Sequence, residues 1–186
     1  RVVIAGSHGK TTITSMIMHV LNYCNIDFDY AVGAALNGFE NSVRLSDAPV
    51  IVIEGDEYLS SPLDMTPKFF KYHHHIGLIS GIAWDHVNVF PTEAFYLEQF
   101  QKFVDLTPND GYLTYYEHDN ALKNIVLSNS KITNTVGYDV HPYSIKNNTT
   151  YLTTSFGNIP LKVFGKHNLQ NISGAKNITD QLGVSD

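Results

Sequence analysis

The chain opens on four consecutive apolar residues, Val2-Val3-Ile4-Ala5, and turns at once into Gly6-Ser7-His8-Gly9-Lys10-Thr11-Thr12. After this loop Ile13, Met16, Ile17, Val20, Leu21 and Cys24 recur at the spacing of one helix face, which predicts a helix over about residues 10–24. A strand, a glycine-bearing loop and a helix in that order leave the first amides of the helix without intrahelical partners. Those amides carry the positive end of the helix dipole and point back at the strand's end. This is the setting in which a chain holds phosphate oxygens. The loop is shorter than the common phosphate-binding pattern. Its first glycine should stand five residues before Gly9, where this chain has Ile4; Gly6 is only three before it.

Two more apolar runs, at residues 50–53 and 76–80, suit strands buried on both faces of a parallel sheet. The first ends in Glu54-Gly55-Asp56-Glu57 and the second in Gly81-Ile82-Ala83-Trp84-Asp85-His86. Thr92, after Pro91, is a good cap for a helix running to about residue 106, with Leu97, Phe100, Phe103 and Val104 turned inward. Residues 111–116 read as a strand and 119–127 as a short helix. From about Lys131 the pattern shortens: 132–136, 143–145, 151–156 and 159–163 read as short strands, with a hairpin turn at Phe156-Gly157-Asn158-Ile159. A last helix is expected over about residues 168–182. The resulting fold class is α/β: a P-loop-containing, mostly parallel sheet flanked by helices, with a small antiparallel subsheet near the C-terminus.

With 186 residues, 43% of them hydrophobic, the chain can build one core, and one domain is expected. Its formal net charge of −6 lacks the basic face of a nucleic-acid binder. No apolar run approaches the roughly 20 residues of a membrane-spanning helix. Cys24 is the only cysteine, which excludes an internal disulfide and, with no signal peptide in view, fits a cytoplasmic setting. The chain starts as if inside a strand and ends as if a helix has just finished. The expectation is therefore a middle piece of a longer protein. Its oligomeric state stays open.

In an open parallel sheet, ligands bind beyond the carboxyl ends of the strands. The loop, Glu54 and His86 all fall on that edge. Backbone amides from Gly6 to Thr12 can hold phosphate oxygens, and Lys10 can neutralise the charge of the β- and γ-phosphates. The Thr11 hydroxyl and the Glu54 carboxylate are hard oxygen donors suited to Mg2+. His86 is less expected beside magnesium, which prefers oxygen.

Four stretches, "AGSHGKTT" at 5–12, "EGDEY" at 54–58, "DH" at 85–86 and "GKHNLQN" at 165–171, occur in the order found in the Mur ligases. The chain resembles the central, ATP-binding domain of that family over essentially its whole length, residues 1–186. The resemblance implies an ATP-dependent ligase that uses Mg2+ and forms an amide bond through an acyl phosphate, in bacterial peptidoglycan metabolism. It implies that Gly6, Ser7, His8, Gly9, Lys10, Thr11 and Thr12 cradle the ATP phosphates. Thr11 and Glu54 would bind one Mg2+ and His86 would help position a second. Lys10, Glu54 and His86 are thus the catalytic candidates. His167 and Asn171 would meet the adenosine, with Asn168 beside them.

Within the family, "LNGFENSVRLSD" at 36–47, "DMTPKFFKY" at 64–72 and "WDHVNVFPT" at 84–92 are similar to the branch that joins UDP-N-acetylmuramate to the tripeptide L-Ala-γ-D-Glu-meso-diaminopimelate. Two other readings stay open: the branch that adds L-alanine, and a non-catalytic nucleotide-binding regulatory module. Gly9-Lys10-Thr11-Thr12 stands where folylpolyglutamate synthetases tend to carry Gly-Lys-Gly-Ser, which ranks that relative low. In place of the family's usual Asn-x-Glu before "x-Asp-His", this chain has Gly81 and Ala83.

Several residues have plainer readings. Asp56 and Glu57 are expected to stabilise their loop, and Asp85 to orient His86. His73-His74-His75 looks like a metal site, but consecutive residues on an extended segment point in alternate directions, so a solvated or substrate-facing turn is expected.

Overall fold

A computed structural model describes residues 1–184. Its main sheet is built around β1 (Val2–Ala5), whose four residues are all buried. The loop follows, then α1 (Lys10–Tyr23), which buries Ile13, Thr14, Ile17, Met18 and Leu21. Cys24 lies just beyond the helix and is exposed rather than part of its inner face. Next come β2 (Asp29–Ala31), β3 (Val43–Arg44) and β4 (Ile51–Glu54). A hairpin of β5 (Leu59–Ser61) and β6 (Asp64–Pro67) and a 3-10 turn, Lys68–Tyr72, lead to β7 (Ile76–Ile79).

Then follow α2 (Glu93–Asp105), β8 (Tyr112–Tyr116), α3 (Asn120–Ser128) and β9 (Asn134–Tyr138). The Thr92 side chain accepts from Phe95 N at the start of α2, as its sequence predicts. Three short strands, β10 (Tyr143–Lys146), β11 (Thr149–Thr154) and β12 (Gly157–Pro160), precede the last helix, α4 (Lys166–Gln181).

The main sheet has seven strands in the order β3-β2-β4-β1-β7-β8-β9. Every pairing in it is parallel except β2 with β3. The two halves lie on either side of β1: β4 pairs on one side and β7 on the other. That is the switch point at which an open α/β sheet leaves a crevice. Beneath α1 and α4, Ile4, Ile13, Ile17, Leu78, Tyr138 and Ile178 form one buried cluster. On the opposite face Val3, Ile79, Phe100, Phe103 and Leu113 belong to a second.

The expected antiparallel subsheet is β10-β11-β12. The strand expected at 132–136 instead spans Asn134–Tyr138 and completes the main sheet, parallel to β8. Its ladder is reinforced where Thr114 Oγ1 donates to Val136 O over 3.0 Å. The hairpin turn falls at Ser155-Phe156, just before the expected position, so that Gly157, at φ +107°, already pairs with Thr154. The short strands β2 and β3 and the β5–β6 hairpin carry too few apolar residues for a periodic signal.

The three histidines do not behave alike. His73 takes a left-handed conformation at φ +47°, His75 is exposed, and His74 is buried. His74 stacks on Phe103 with ring centroids 4.0 Å apart, and its Nε2 meets Thr107 Oγ1 at 2.7 Å. The solvated turn expected at 73–75 is thus corrected for its middle residue, which is a packed core side chain.

Candidate functional site

The phosphate-type loop is held from below by the end of β7. Ser7 N and Ser7 Oγ both donate to Gly81 O, at 2.9 and 3.1 Å. Ser80 N donates to Ala5 O at 3.0 Å, and Ser80 Oγ donates to His8 O. Gly6 sits at φ +126°, and a Cβ there would overlap Ser80 Oγ and lie 2.9 Å from Ser80 N. The shortened loop therefore needs glycine at position 6, where the usual pattern has none, because it presses directly on the neighbouring strand. Gly9, at φ +81°, is the N-cap of α1, with no side chain bonded over the helix amides. Amides uncapped in this way can receive an anion.

Gly81 stands at φ +141°. Its carbonyl is what holds Ser7. The next amide, Ile82 N, donates to Asp119 Oδ2 at 2.7 Å, while Asp119 Oδ1 caps α3 by accepting from Leu122 N at 3.0 Å. One carboxylate thus ties the segment under the loop to a helix start.

Two cavities flank the loop. The first, about 680 Å³, is lined by Ser7, His8, Gly9, Thr12, His167, Asn168 and Asn171, among others. The structure thus brings together seven of the residues singled out from the sequence, from the loop and from the start of α4. Asn171 is buried, and its Oδ1 lies only 2.5 Å from where a Cβ on Gly9 would fall. Asn168 spends its amide locally, donating to Phe164 O at 2.7 Å, and Gln170 donates to Ser80 O at 2.7 Å, which docks α4 on the loop's support. Tyr116 and His118, at the end of β8, also line this cavity and carry no motif in the sequence.

The second cavity, about 510 Å³, lies on the other side of Lys10 and includes Glu54, Glu57, Tyr58, Lys68 and His86 in its wall. Thr11 Oγ1 donates to Glu54 Oε1 at 2.6 Å, and Gly33 N donates to Glu54 Oε2 at 3.0 Å. Lys10 Nζ donates to Gly6 O at 2.6 Å and meets Glu57 at 2.9 and 3.1 Å. His86 Nε2 lies 3.2 Å from Glu57 Oε1, and its Nδ1 lies 2.8 Å from Tyr58 Oη. The carboxylate can only accept, so Nε2 faces an acceptor while Nδ1 faces a hydroxyl that can either donate or accept.

His86 stands at φ +56°, and its amide donates to Asp85 Oδ1 at 2.6 Å, the orienting role expected of Asp85. That bond, more than any other contact, holds the Asp85 carboxyl below its usual range. Asp56 turns outward to Lys68 at 2.7 Å and accepts from Tyr58 N at 2.9 Å, as a loop-stabilising residue would. Glu57 does more than stabilise its loop, since it reaches both Lys10 and His86. In the sequence it stands inside the "EGDEY" stretch at 54–58, where alternation with Asp56 does not by itself say which of the two turns inward.

The donor set suits magnesium. Thr11 and Glu54 offer hard oxygens at a helix start beside a lysine, and Mg2+ keeps several waters rather than requiring a closed protein cage. The group of three close His, Asp or Glu ligands found among the described residues lies elsewhere, at Glu117, His118 and Asp139.

A model of the Mur ligase middle domain matches residues 4–178. The chain belongs to the Mur ligase family. This middle domain is 34% identical over 183 residues to a UDP-N-acetylmuramate–L-alanine ligase of Clostridium botulinum, covering 91% of the chain and 38% of the relative. The corresponding ligase of Caldanaerobacter subterraneus is 28% identical over 197 residues, with 98% and 41% covered. The chain spans about two-fifths of the length of these curated relatives. Among solved structures, the UDP-N-acetylmuramate:L-alanyl-gamma-D-glutamyl-meso-diaminopimelate ligase from Neisseria meningitides superposes with a TM-score of 0.84 at 22% identity, over 98% of this chain and 61% of that one. The UDP-N-acetylmuramate–alanine ligase of Thermotoga maritima gives 0.73 at 21%, over 98% and 41%. These two likenesses bear on the fold of the middle domain. Among the described residues, no helix is long and apolar enough to cross a membrane.

Proposed function

We propose that this middle domain, residues 1–186, is the ATP-binding core of an ATP-dependent ligase that joins the carboxylate of UDP-N-acetylmuramate to an amine. In the intact protein a uridine-nucleotide domain would precede it and a second substrate domain would follow. The observation that carries the reading is the convergence of Lys10, Thr11, Glu54 and His86 at one sheet edge, beside a loop whose helix amides are left open.

A carboxylate is a poor acyl donor at neutral pH. In the proposed reaction its oxygen attacks the γ-phosphorus of ATP and ADP leaves. The amine then attacks the acyl carbon, phosphate leaves with the C–O electrons, and the nitrogen loses a proton. Lys10 and the α1 amides would offset phosphate charge, worth most in a site that excludes water. Thr11 and Glu54 would hold Mg2+, with His86 helping to position a second ion; the metal supplies charge stabilisation for phosphoryl transfer. His8, Gly9, Thr12, His167, Asn168 and Asn171 would line the nucleotide side, with Asn171 reading the adenine edge.

We read the amine as the tripeptide L-Ala-γ-D-Glu-meso-diaminopimelate, in cell-wall recycling in a bacterial cytoplasm. The 34% identity to alanine-adding ligases supports L-alanine as the second reading. Calorimetric titration of the chain with ATP and Mg2+ tests the core claim: binding is expected, and its survival in Lys10→Ala at full strength would sink it. In a protein carrying the flanking domains, ligation assays with L-alanine against the tripeptide decide the amine. Unchanged activity of Glu54→Ala and His86→Ala there would favour the regulatory module.

A further inference from the structure

Glu57 is buried to 1% exposure, yet it lines the second cavity beside Lys10 and His86. Its backbone is brought there by Gly55, whose N donates to Ile4 O at 2.8 Å and whose missing Cβ would lie 2.9 Å from Val3 Cγ1. The strand end therefore presses on β1, and the next residues alternate: Asp56 faces Lys68 outside, Glu57 turns under the loop. A buried carboxylate persists only when paired. Glu57 has two partners from distant parts of the chain, Lys10 at 2.9 Å and His86 at 3.2 Å.

An ammonium has three N–H donors. In Lys10 one goes to Gly6 O and one to Glu57, which leaves one to be aimed. An imidazole has two nitrogens, and both are engaged in His86, by Glu57 and Tyr58. The Glu57 carboxylate thus restricts the direction of the lysine and the rotation of the histidine together. It also sets a buried negative charge next to the cation that would receive a phosphate.

Resting on the nucleotide-site reading above, we propose that Glu57 is a positioning residue. It couples Lys10 to His86 and holds nucleotide affinity down in exchange for that alignment. Removing its charge while keeping its shape then has a counter-intuitive sign. Nucleotide should bind more tightly, because repulsion between Glu57 and the phosphates outweighs one lost hydrogen bond. A unit charge a few ångströms away, at an intermediate effective dielectric, corresponds to about tenfold or more in affinity.

The test is calorimetric titration of ATP into the chain, in EDTA and in Mg2+, for wild type, Glu57→Gln, Glu57→Ala, His86→Ala and the Glu57→Gln/His86→Ala pair. Circular dichroism melts of each report folding, and Glu57→Ala removes the same charge should the buried glutamine disturb packing. About tenfold tighter binding in EDTA is expected for both Glu57 variants. The His86→Ala change should weaken wild type, by releasing Glu57 wholly to Lys10, and leave the Glu57→Gln background unmoved. Equal or weaker binding by folded Glu57 variants in EDTA overturns the proposal. So do additive effects in the pair. A loss confined to the Mg2+ arm overturns it too, in favour of Glu57 as a metal ligand. Failure of wild type to bind ATP at all would instead remove the nucleotide-site reading on which it rests.

Discussion

The Thr11 hydroxyl donates to the Glu54 carboxylate over 2.6 Å, joining the first turn of α1 to the end of β4. The two residues lie 43 positions apart, and the parallel pairing of β1 with β4 brings them together. Gly33 N holds the other carboxylate oxygen, so Glu54 is oriented from two sides before any ion arrives. Glu54→Gln keeps the shape and removes the charge that a divalent ion needs. We expect the gain in ATP affinity on adding Mg2+ to fall by about tenfold or more, with binding in EDTA preserved or improved. Calorimetric titrations in the two conditions read this directly, and an unaltered Mg2+ gain would exclude Glu54 as a ligand.

Gly6→Ala should destabilise the fold. Its φ of +126° is unfavourable for any L side chain, and the added Cβ overlaps Ser80 Oγ and also crowds backbone, lying 2.9 Å from Ser80 N and 3.0 Å from Gly81 O. Strain and overlap together should cost about 2–4 kcal/mol in urea unfolding. A loss under half a kilocalorie would show that the loop can lift off β7.

Asp119 joins the segment beneath the loop to the start of α3 with its two oxygens. Asp119→Ala removes both bonds and should cost about 2 kcal/mol. Because Ile82 adjoins the carbonyl that holds Ser7, ATP affinity should fall as well, although Asp119 is only one part of the cavity wall. Asp119→Asn retains one acceptor and should recover the helix cap. Calorimetry and denaturation of the same samples separate the two effects.

His74 makes stability depend on pH. Burial, and after it the neighbouring His75, pulls its pKa down from near 6.5 to about 3. The unfolded chain takes up a proton there that the folded chain refuses. Stability from this residue is therefore complete above about pH 6.5 and declines as pH falls towards 3, by at most about 1.4 kcal/mol per pH unit. Urea midpoints measured between pH 7 and 5 should show the decline in wild type and a shallower one in His74→Gln. Parallel slopes would mean another group is responsible.

Much of the fold was legible because parallel strands buried on both faces must be written as continuous apolar runs. That is how residues 2–5, 50–53 and 76–80 announced β1, β4 and β7. The loop was legible because an open helix start and a lysine require few residues, all local. His74 was not, because a polar residue inside a histidine run gives no sign of burial; its ring is held by Phe103 and Thr107, roughly thirty positions away. β2 and β3 were missed for a related reason. Strands of two or three residues take their pairing from the sheet rather than from their own composition.

Local sequence determined the strand–loop–helix unit, the ordering of strands and helices, and the identity of the hard-oxygen and cationic side chains. Those properties depend on backbone propensity, periodic burial and side-chain chemistry within a few residues. Only the tertiary structure decided which charges meet. Glu57 rather than Asp56 faces Lys10, both nitrogens of His86 are engaged, and Gly81 lends its carbonyl to Ser7. Each of these is set by strand register and by backbone contacts at the strand ends, such as Gly55 N to Ile4 O and Ser7 N to Gly81 O. A one-residue shift would turn the neighbouring side chain inward instead, and no local pattern specifies that choice.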